Sequence, residues 1–305
     1  MNYSWVPMIG EFKEESSSIS FLGQVKEEEG MKHSTTGHLL FNKKFNNGCI
    51  TAEISFEDIV SETGCQIIVY YEREDSKLKM VTAGIGPFGM FVIQTFDENG
   101  WKVLAVTGDI KNLVKDFHYK LKVYLRGSTL YLNVNDVDII SSTIPFYFQQ
   151  SQVGIWCQNS GKINIYNFDV DTQKPKAFIV MQFSAQYNEL YEKVIKRVCE
   201  EKEFDIECIR ADESYDTGMI ILDIINRIKE SKIIIAEISP QNPNVYYEVG
   251  YSHALNKPTI LIAEKGTKLP FDLSPFRVLM YENSISGKER IEESLRKHLR
   301  EIMFK

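Results

Sequence analysis

Up to about Asp171 the apolar positions of this chain recur at every second residue. Tyr119, Leu121, Val123 and Leu125 are separated by Lys120, Lys122 and Tyr124, which is the alternation of a strand with one face on a core. Gly127 and Ser128 then reverse the chain, and Leu130, Leu132 and Val134 continue the alternation on a returning strand. Similar runs occur at 49–56, 66–71, 90–96, 103–107, 152–156 and 163–170, broken by Gly, Asn and Asp. Many short strands with no helical period between them predict an all-β sandwich.

After Lys176 the period changes. Ala177-Phe178-Ile179-Val180-Met181 is apolar on both faces, as a strand covered by helices on either side requires. Leu190, Val194, Ile195 and Val198 then mark a helix over 188–203, followed by a strand at 206–210. A helix over 219–230, a strand at 233–238, a helix over 244–256 and strands at 259–263 and 278–281 continue the alternation. A last helix carries Ile291, Leu295, Leu299 and Ile302 on one stripe. Alternating units of this kind predict a doubly wound parallel α/β sheet. The polar stretch 171–176 ends in Pro175 and Lys176, so two domains are expected, at 1–172 and 176–305.

A length of 305 residues suits two cores that need no crosslinks. The 35 Lys and Arg against 42 Asp and Glu give a net charge of −7, which disfavours a nucleic-acid partner held by phosphate neutralisation. No run of about 18 apolar residues is present, so no membrane span is expected. The opening residues lack the basic start and apolar run of a secretory signal, and a cytoplasmic location is the expectation. Cys49, Cys65, Cys157, Cys199 and Cys208 show no CxxC spacing and no nearby His pair, which predicts buried free thiols, no metal and no cofactor.

Gly84-Ile85-Gly86-Pro87-Phe88-Gly89 satisfies GxGxxG, but a strand-like Met90-Phe91-Val92-Ile93 follows where a dinucleotide fingerprint needs a helix. It is read as a loop of the β domain. The informative segment runs from Ile233 through Ile262: a buried strand ending in Ala236-Glu237, a polar loop, a helix capped by Asn242 with Pro243 in its first turn, and a stop at Asn256 before Pro258. Its loop leaves the carboxyl end of a strand, the edge at which open α/β sheets bind ligands. Asn244, Glu248 and Tyr251 share one helix face, while Val245, Val249 and Ser252 suit packing on the sheet. A carboxylate in the second turn there can act as a nucleophile or stabilise positive charge at a sugar carbon, and Gly250 suggests close approach of another group. His253 turns away from that face, and Tyr247 is a better pocket candidate than Tyr246.

This segment resembles the nucleoside 2-deoxyribosyltransferase-like family and its TIR-like nucleotide-processing relatives. The resemblance is carried by Ala236-Glu237, by Asn242-Pro243-Asn244-Val245-Tyr246-Tyr247-Glu248-Val249-Gly250, by Asn256-Lys257-Pro258-Thr259-Ile260-Leu261, by Phe178 through Ser184 and by Arg210-Ala211-Asp212-Glu213. It covers about the last 130 residues and implies a flavodoxin/TIR-like sheet. It implies Glu248 as the catalytic carboxylate, Gln182, Phe183 and Ser184 in the base and sugar pocket, and Asp212 on ribose hydroxyls, with Asn244 and Tyr247 beside them. Many relatives carry Asp where this chain has Glu237, which sits at the same edge as a substrate-binding candidate. The first 172 residues resemble concanavalin-like (laminin-G-type) jelly rolls through Phe45 to Ile54, the hairpin at Gly127 and Val153-Gly154-Ile155-Trp156. That resemblance implies a sensor or oligomerisation module, with Trp101 and Tyr147 as candidate stacking residues.

The resulting expectation is cleavage of an N-glycosidic bond in NAD or a related nucleoside or nucleotide, by a protein that self-associates and whose analogues serve bacterial antiviral defence. The alternatives are a receptor that only binds a nucleotide signal, and a glycan-binding protein acting through the jelly roll.

Overall fold

A computed structural model describes residues 4–15, 17–28, 31–75, 77–109, 111, 113–146, 150–211 and 220–304. The chain forms two compact units that divide between Gln173 and Lys174.

Among the described residues the first unit holds fifteen strands: β1 (Trp5–Ile9), β2 (Phe12–Glu14), β3 (Ser18–Leu22), β4 (Val25–Glu28), β5 (Met31–Phe45), β6 (Gly48–Phe56), β7 (Gly64–Glu74) and β8 (Lys77–Ile85), then β9 (Met90–Asp97), β10 (Gly100–Gly108), β11 (Tyr119–Arg126), β12 (Thr129–Val134), β13 (Val137–Thr143), β14 (Ser151–Asn159) and β15 (Lys162–Thr172). These make an eight-stranded sheet, ordered β1-β5-β14-β7-β8-β9-β10 with β4 on β5, and a seven-stranded sheet, ordered β13-β12-β11-β6-β15-β3-β2. One apolar cluster takes Ile67, Val81, Ile93 and Ile155 from the first sheet and Ile54, Leu121, Leu132 and Ile163 from the second, which makes a β-sandwich.

Strand β8 escapes the alternation for a physical reason. In β8 every residue from Met80 to Ile85 is buried, so neither face is polar. The cause is a strong curl of the eight-stranded sheet. Trp101 of β10 and Trp156 of β14 are four strand spacings apart, about 19 Å in a flat sheet, yet their ring centroids lie 5.6 Å apart. Gly84 and Ile85 close β8, a 3-10 turn at Pro87–Gly89 follows, and β9 begins at once, so the GxGxxG stretch opens no α-helix.

The second unit holds β16 (Lys176–Val180), β17 (Glu207–Arg210), β18 (Ile233–Glu237), β19 (Thr259–Glu264) and β20 (Val278–Tyr281), all parallel in the order β17-β16-β18-β19-β20. Its helices are α1 (185–199, with a π-helical stretch at Tyr191–Lys196), α2 (Ile220–Glu230), α3 (Pro243–Ala254) and α4 (Ile285–Phe304). α2 and α3 pack on each other, and α1 packs on α4. Ile234, Ala236 and Ile238 join the apolar cluster that receives Ile228 of α2 and Val245 and Val249 of α3. The order reverses at β16, with β17 on one side and β18 on the other. The crevice outside their carboxyl ends is the ligand position of open parallel sheets.

Candidate functional site

A cavity of ≈ 680 Å³ opens at that crevice. Its walls come from the end of β16 (Gln182, Phe183), from α2 (Ile221, Asp223) and from the start of α3 (Asn244, Glu248). The local reason α3 starts here is explicit. Asn242 is extended (φ −76°, ψ 123°), its Oδ1 accepts from the Asn244 N–H at 2.9 Å, and Pro243 follows, so the helix begins against the mouth of the cavity. Asn242 also donates from Nδ2 to Gln182 Oε1 at 3.4 Å, which ties α3 to the exit of β16.

Glu248 lies in the second turn of α3. Val245, Val249 and Ser252 are buried toward the sheet, and Ser252 Oγ donates to the Glu248 carbonyl at 2.7 Å, fixing the backbone beneath the carboxylate. Burial raises the Glu248 carboxyl to about 7, and no charged or hydrogen-bonding neighbour among the described residues offsets it. A half-buried acid poised near neutrality beside a cavity has the profile of a functional carboxyl.

Five residues expected at the site, Gln182, Phe183, Asn244, Tyr247 and Glu248, line this one cavity. Phe183 and Tyr247 keep 50% and 52% of their surface exposed. Ser184 lies outside the lining and caps α1 without a side-chain hydrogen bond. Asp212 and, in the first unit, Tyr147 fall outside the described residues.

Three expectations need correcting. Glu237 is not at the cavity. Strand alternation sends Ile234, Ala236 and Ile238 toward α2 and α3, so Glu237 turns to the opposite face and is fully buried there. Its Oε1 accepts from the Ser239 N–H at 3.2 Å, the Ser239 hydroxyl and Tyr281 Oη at 3.4 Å, and burial lifts its carboxyl to about 6. Gly250 admits no close approach, since a Cβ there would meet nothing within 4 Å. Tyr251 packs with the apolar cluster instead of lining the cavity. His253 stacks on Phe276 at 4.4 Å, away from Glu248.

The sequence reading also missed a second carboxylate. Asp223 lines the cavity and accepts from Arg227 Nε at 2.8 Å one turn along α2. Its signal was its place in the first turn of α2, on the flank of the apolar stripe.

The sandwich presents a separate feature on the face of its eight-stranded sheet turned away from the core. His38, Trp156, Gln66 and Gly84 lie in one cross-strand row. Tyr71, Met80, Phe96 and Trp101 form another. Gln66 Oε1 accepts from Thr82 at 2.6 Å and Gln94 at 3.1 Å. Three buried polar atoms on this face, His38 Nδ1, Gln66 Nε2 and Tyr71 Oη, have no hydrogen-bond partner among the described residues, and burial lowers His38 to about 4. Buried polar atoms without partners are rare and call for an occupant or a water.

No family model and no curated protein matches the chain. Among solved structures it is similar to a carbohydrate-binding module from Bacillus subtilis at 11% identity, with 55% of this chain and 94% of that chain covered and a TM-score of 0.44. It is also similar to a porphyranase from Zobellia galactanivorans (8% identity, 56% and 88% covered, TM-score 0.39) and to a Bacillus licheniformis beta-glucanase (7%, 55% and 91%, 0.38). These neighbours are jelly-roll sandwiches of the concanavalin- and galectin-like type. At such identities and TM-scores they assign no activity to this chain. Among the described residues no helix is long and apolar enough to cross a membrane.

Proposed function

We propose that the α/β unit, read as a doubly wound flavodoxin/TIR-like sheet, cleaves the N-glycosidic bond of NAD or a related nucleoside or nucleotide. The observation that carries this reading is Glu248: a carboxyl with no partner among the described residues, raised to about 7, on the wall of a ≈ 680 Å³ cavity at the point where the strand order reverses. Departure of a base from a ribosyl group builds positive charge at C1′ and the ring oxygen, and a carboxylate held there stabilises that charge or attacks the carbon. Phe183 and Tyr247 offer exposed rings for a heterocycle, and Gln182 and Asn244 offer amides for sugar hydroxyls. The sequence likeness to the deoxyribosyltransferase-like family around Asn242 to Gly250 supports the same assignment. A receptor that only binds a nucleotide needs no carboxylate at this position. The test is chromatographic detection of free base after incubation with NAD and a nucleoside panel, repeated with Glu248→Gln. Release that survives the substitution removes Glu248 from the mechanism.

A second reading concerns the sandwich. The unpartnered His38, Gln66 and Tyr71 atoms beside Trp156 and Trp101 favour a polyhydroxylated ligand, whose hydroxyls supply the missing partners and whose C–H faces stack on indole. Screening the full chain on a glycan array, alongside Trp101→Ala, tests it. Loss of binding in the variant supports a glycan role for the sandwich, and an empty array removes it. Self-association, a cytoplasmic location and a part in antiviral defence extend these readings; light scattering of the purified chain tests the first.

A further inference from the structure

Arg210, the last residue of β17, turns away from the α2 and α3 side of the sheet. Ile209 and Ala211, its two neighbours in sequence, pack against the apolar cluster under those helices, so strand alternation sends the Arg210 side chain to the opposite face, under α1. There it is 7% exposed, and its guanidinium carbon lies 4.5 Å from the ring centroid of Tyr191 and 5.3 Å from that of Phe183. Its Nη1 donates to Asn188 Oδ1 at 2.8 Å. Asn188 and Tyr191 are three residues apart on α1 and share a helix face. Tyr191 is fully buried and opens the π-helical stretch Tyr191–Lys196, a local widening of the helix that recurs at functional sites.

Phe183 is the outer end of this stack. It lines the Glu248 cavity and keeps half of its surface exposed. A half-exposed ring beyond a strand end has rotamer freedom that a ligand would have to freeze on binding. The guanidinium removes that freedom from one side. Being planar, it lies against aromatic faces while its N–H groups bond in their own plane, which a lysine ammonium cannot do. The preceding residue is tied as well, since Asn242 Nδ2 donates to Gln182 Oε1 at 3.4 Å. Both side chains at the exit of β16 are thus held before anything binds, Gln182 from α3 and Phe183 from β17 and α1.

We infer that Arg210 is a positioning residue of this site: it holds the Phe183 ring as a preformed platform on which the flat heterocyclic base of the ligand stacks. The inference rests on the reading of the cavity as a nucleoside or nucleotide site and identifies what sets its affinity for the base. Arg210 acts through Phe183, with Tyr191 and Asn188 fixing the guanidinium from behind. A base stacked on an ordered ring keeps that contact while the glycosidic bond breaks, so the contribution belongs in KM and not in kcat.

The experiment is a double-mutant cycle on the full chain with Phe183→Ala, Arg210→Met and both together, using adenosine, uridine and NAD as probes. Affinity is read by calorimetry and base release by chromatography, and circular dichroism in urea reports whether each variant is folded. For the tightest probe we expect Phe183→Ala to weaken binding at least about tenfold and Arg210→Met about fivefold, with KM rising and kcat held within about twofold. In the Phe183→Ala background Arg210→Met should have no further effect, because the ring through which it acts is gone. Asn188 is exposed, and Asn188→Ala loosens the same guanidinium without disturbing the core; it should weaken binding about two- to threefold, again only while Phe183 is present, so the test stands even if Arg210→Met fails to fold. Effects that add across the cycle, or variants at Arg210 and Asn188 that bind as wild type does, overturn the positioning role and leave the nucleotide reading intact. The expected coupling with no base released keeps the positioning role and removes the N-glycosidase reading. Failure of all three probes to bind the wild-type chain below about 1 mM overturns both.

Discussion

Replacing Glu248 by Gln should stabilise the α/β unit at alkaline pH and leave it nearly unchanged in acid. Burial raises this carboxyl from 4.5 to about 7, so between those values the folded chain holds a proton that the unfolded chain has released. Stability therefore falls as pH rises through that window and is level above it. The full rise corresponds to about 3.4 kcal/mol at about 1.36 kcal/mol per pH unit. Partial exposure to the cavity screens the charge, and a window from about pH 5 to about pH 8 captures most but not all of the rise, so we expect about 1–2 kcal/mol. Glutamine keeps the shape and cannot ionise. The difference in stability between wild type and Glu248→Gln should accordingly grow by that amount from acid to alkaline pH, and titrations common to both proteins cancel. The two units can be followed separately. Trp5, Trp101 and Trp156 all lie in the sandwich, while α1 to α4 all lie in the second unit, so far-ultraviolet circular dichroism in a urea titration reports the α/β unit. An equal difference at both pH values would show that the carboxyl ionises as it does in water. The site would then have lost the desolvation on which its chemistry depends.

Other consequences are smaller or more local. Asn242→Ala removes the α3 cap and its link to Gln182, and should lower α/β stability by about 1 kcal/mol in the same urea titration. Glu237, raised to about 6, opposes folding increasingly as pH rises from 4.5 to about 6; Glu237→Gln should therefore be most beneficial above that range, which thermal melts across pH can check. Trp156 is 4% exposed, and Trp156→Ala should cost the sandwich about 3–5 kcal/mol, seen as an earlier loss of the remaining tryptophan signal in urea. Cys65, Cys157, Cys199 and Cys208 are buried, so a thiol reagent should label Cys49 first in the native chain and the other four only after denaturation, as peptide mapping would reveal.

Much of the architecture could be read from periodicity because most elements meet one solvent. The second unit's strands are apolar runs since helices cover both faces, and its helices carry clean stripes, so their order was legible within a few residues. The runs read from alternation left out β1 to β5, β8 and β13; at β8 the reason is the curl that brings Trp101 to Trp156, which gives the eight-stranded sheet a second covered face. The polar residues that face retains, Gln66, Thr82 and Gln94, bond to one another instead of to water. A pattern that assumes one wet face has no means of registering that.

The site divides along the same line. The place of Glu248 on the cavity wall was legible because it follows from position along a helix, and helical spacing fixed the stripe of Val245, Val249 and Ser252 that leaves it facing the crevice. Glu237 was misplaced because it was carried over from the resemblance, and at a strand end the next residue in either direction points to the opposite side of the sheet. The error is informative about the chemistry. Had Glu237 shared the cavity, two nearby carboxyls would have coupled, and each would have raised the pKa of the other. With Glu237 sealed behind the sheet against Ser239 and Tyr281, and Asp223 paired with Arg227, Glu248 is the one carboxyl among the described lining residues that has no ion-pair partner. Base release should therefore change across the range around pH 7 in which Glu248 titrates, and a rate that stays level from about pH 5 to about pH 8 would mean that this carboxyl takes no part.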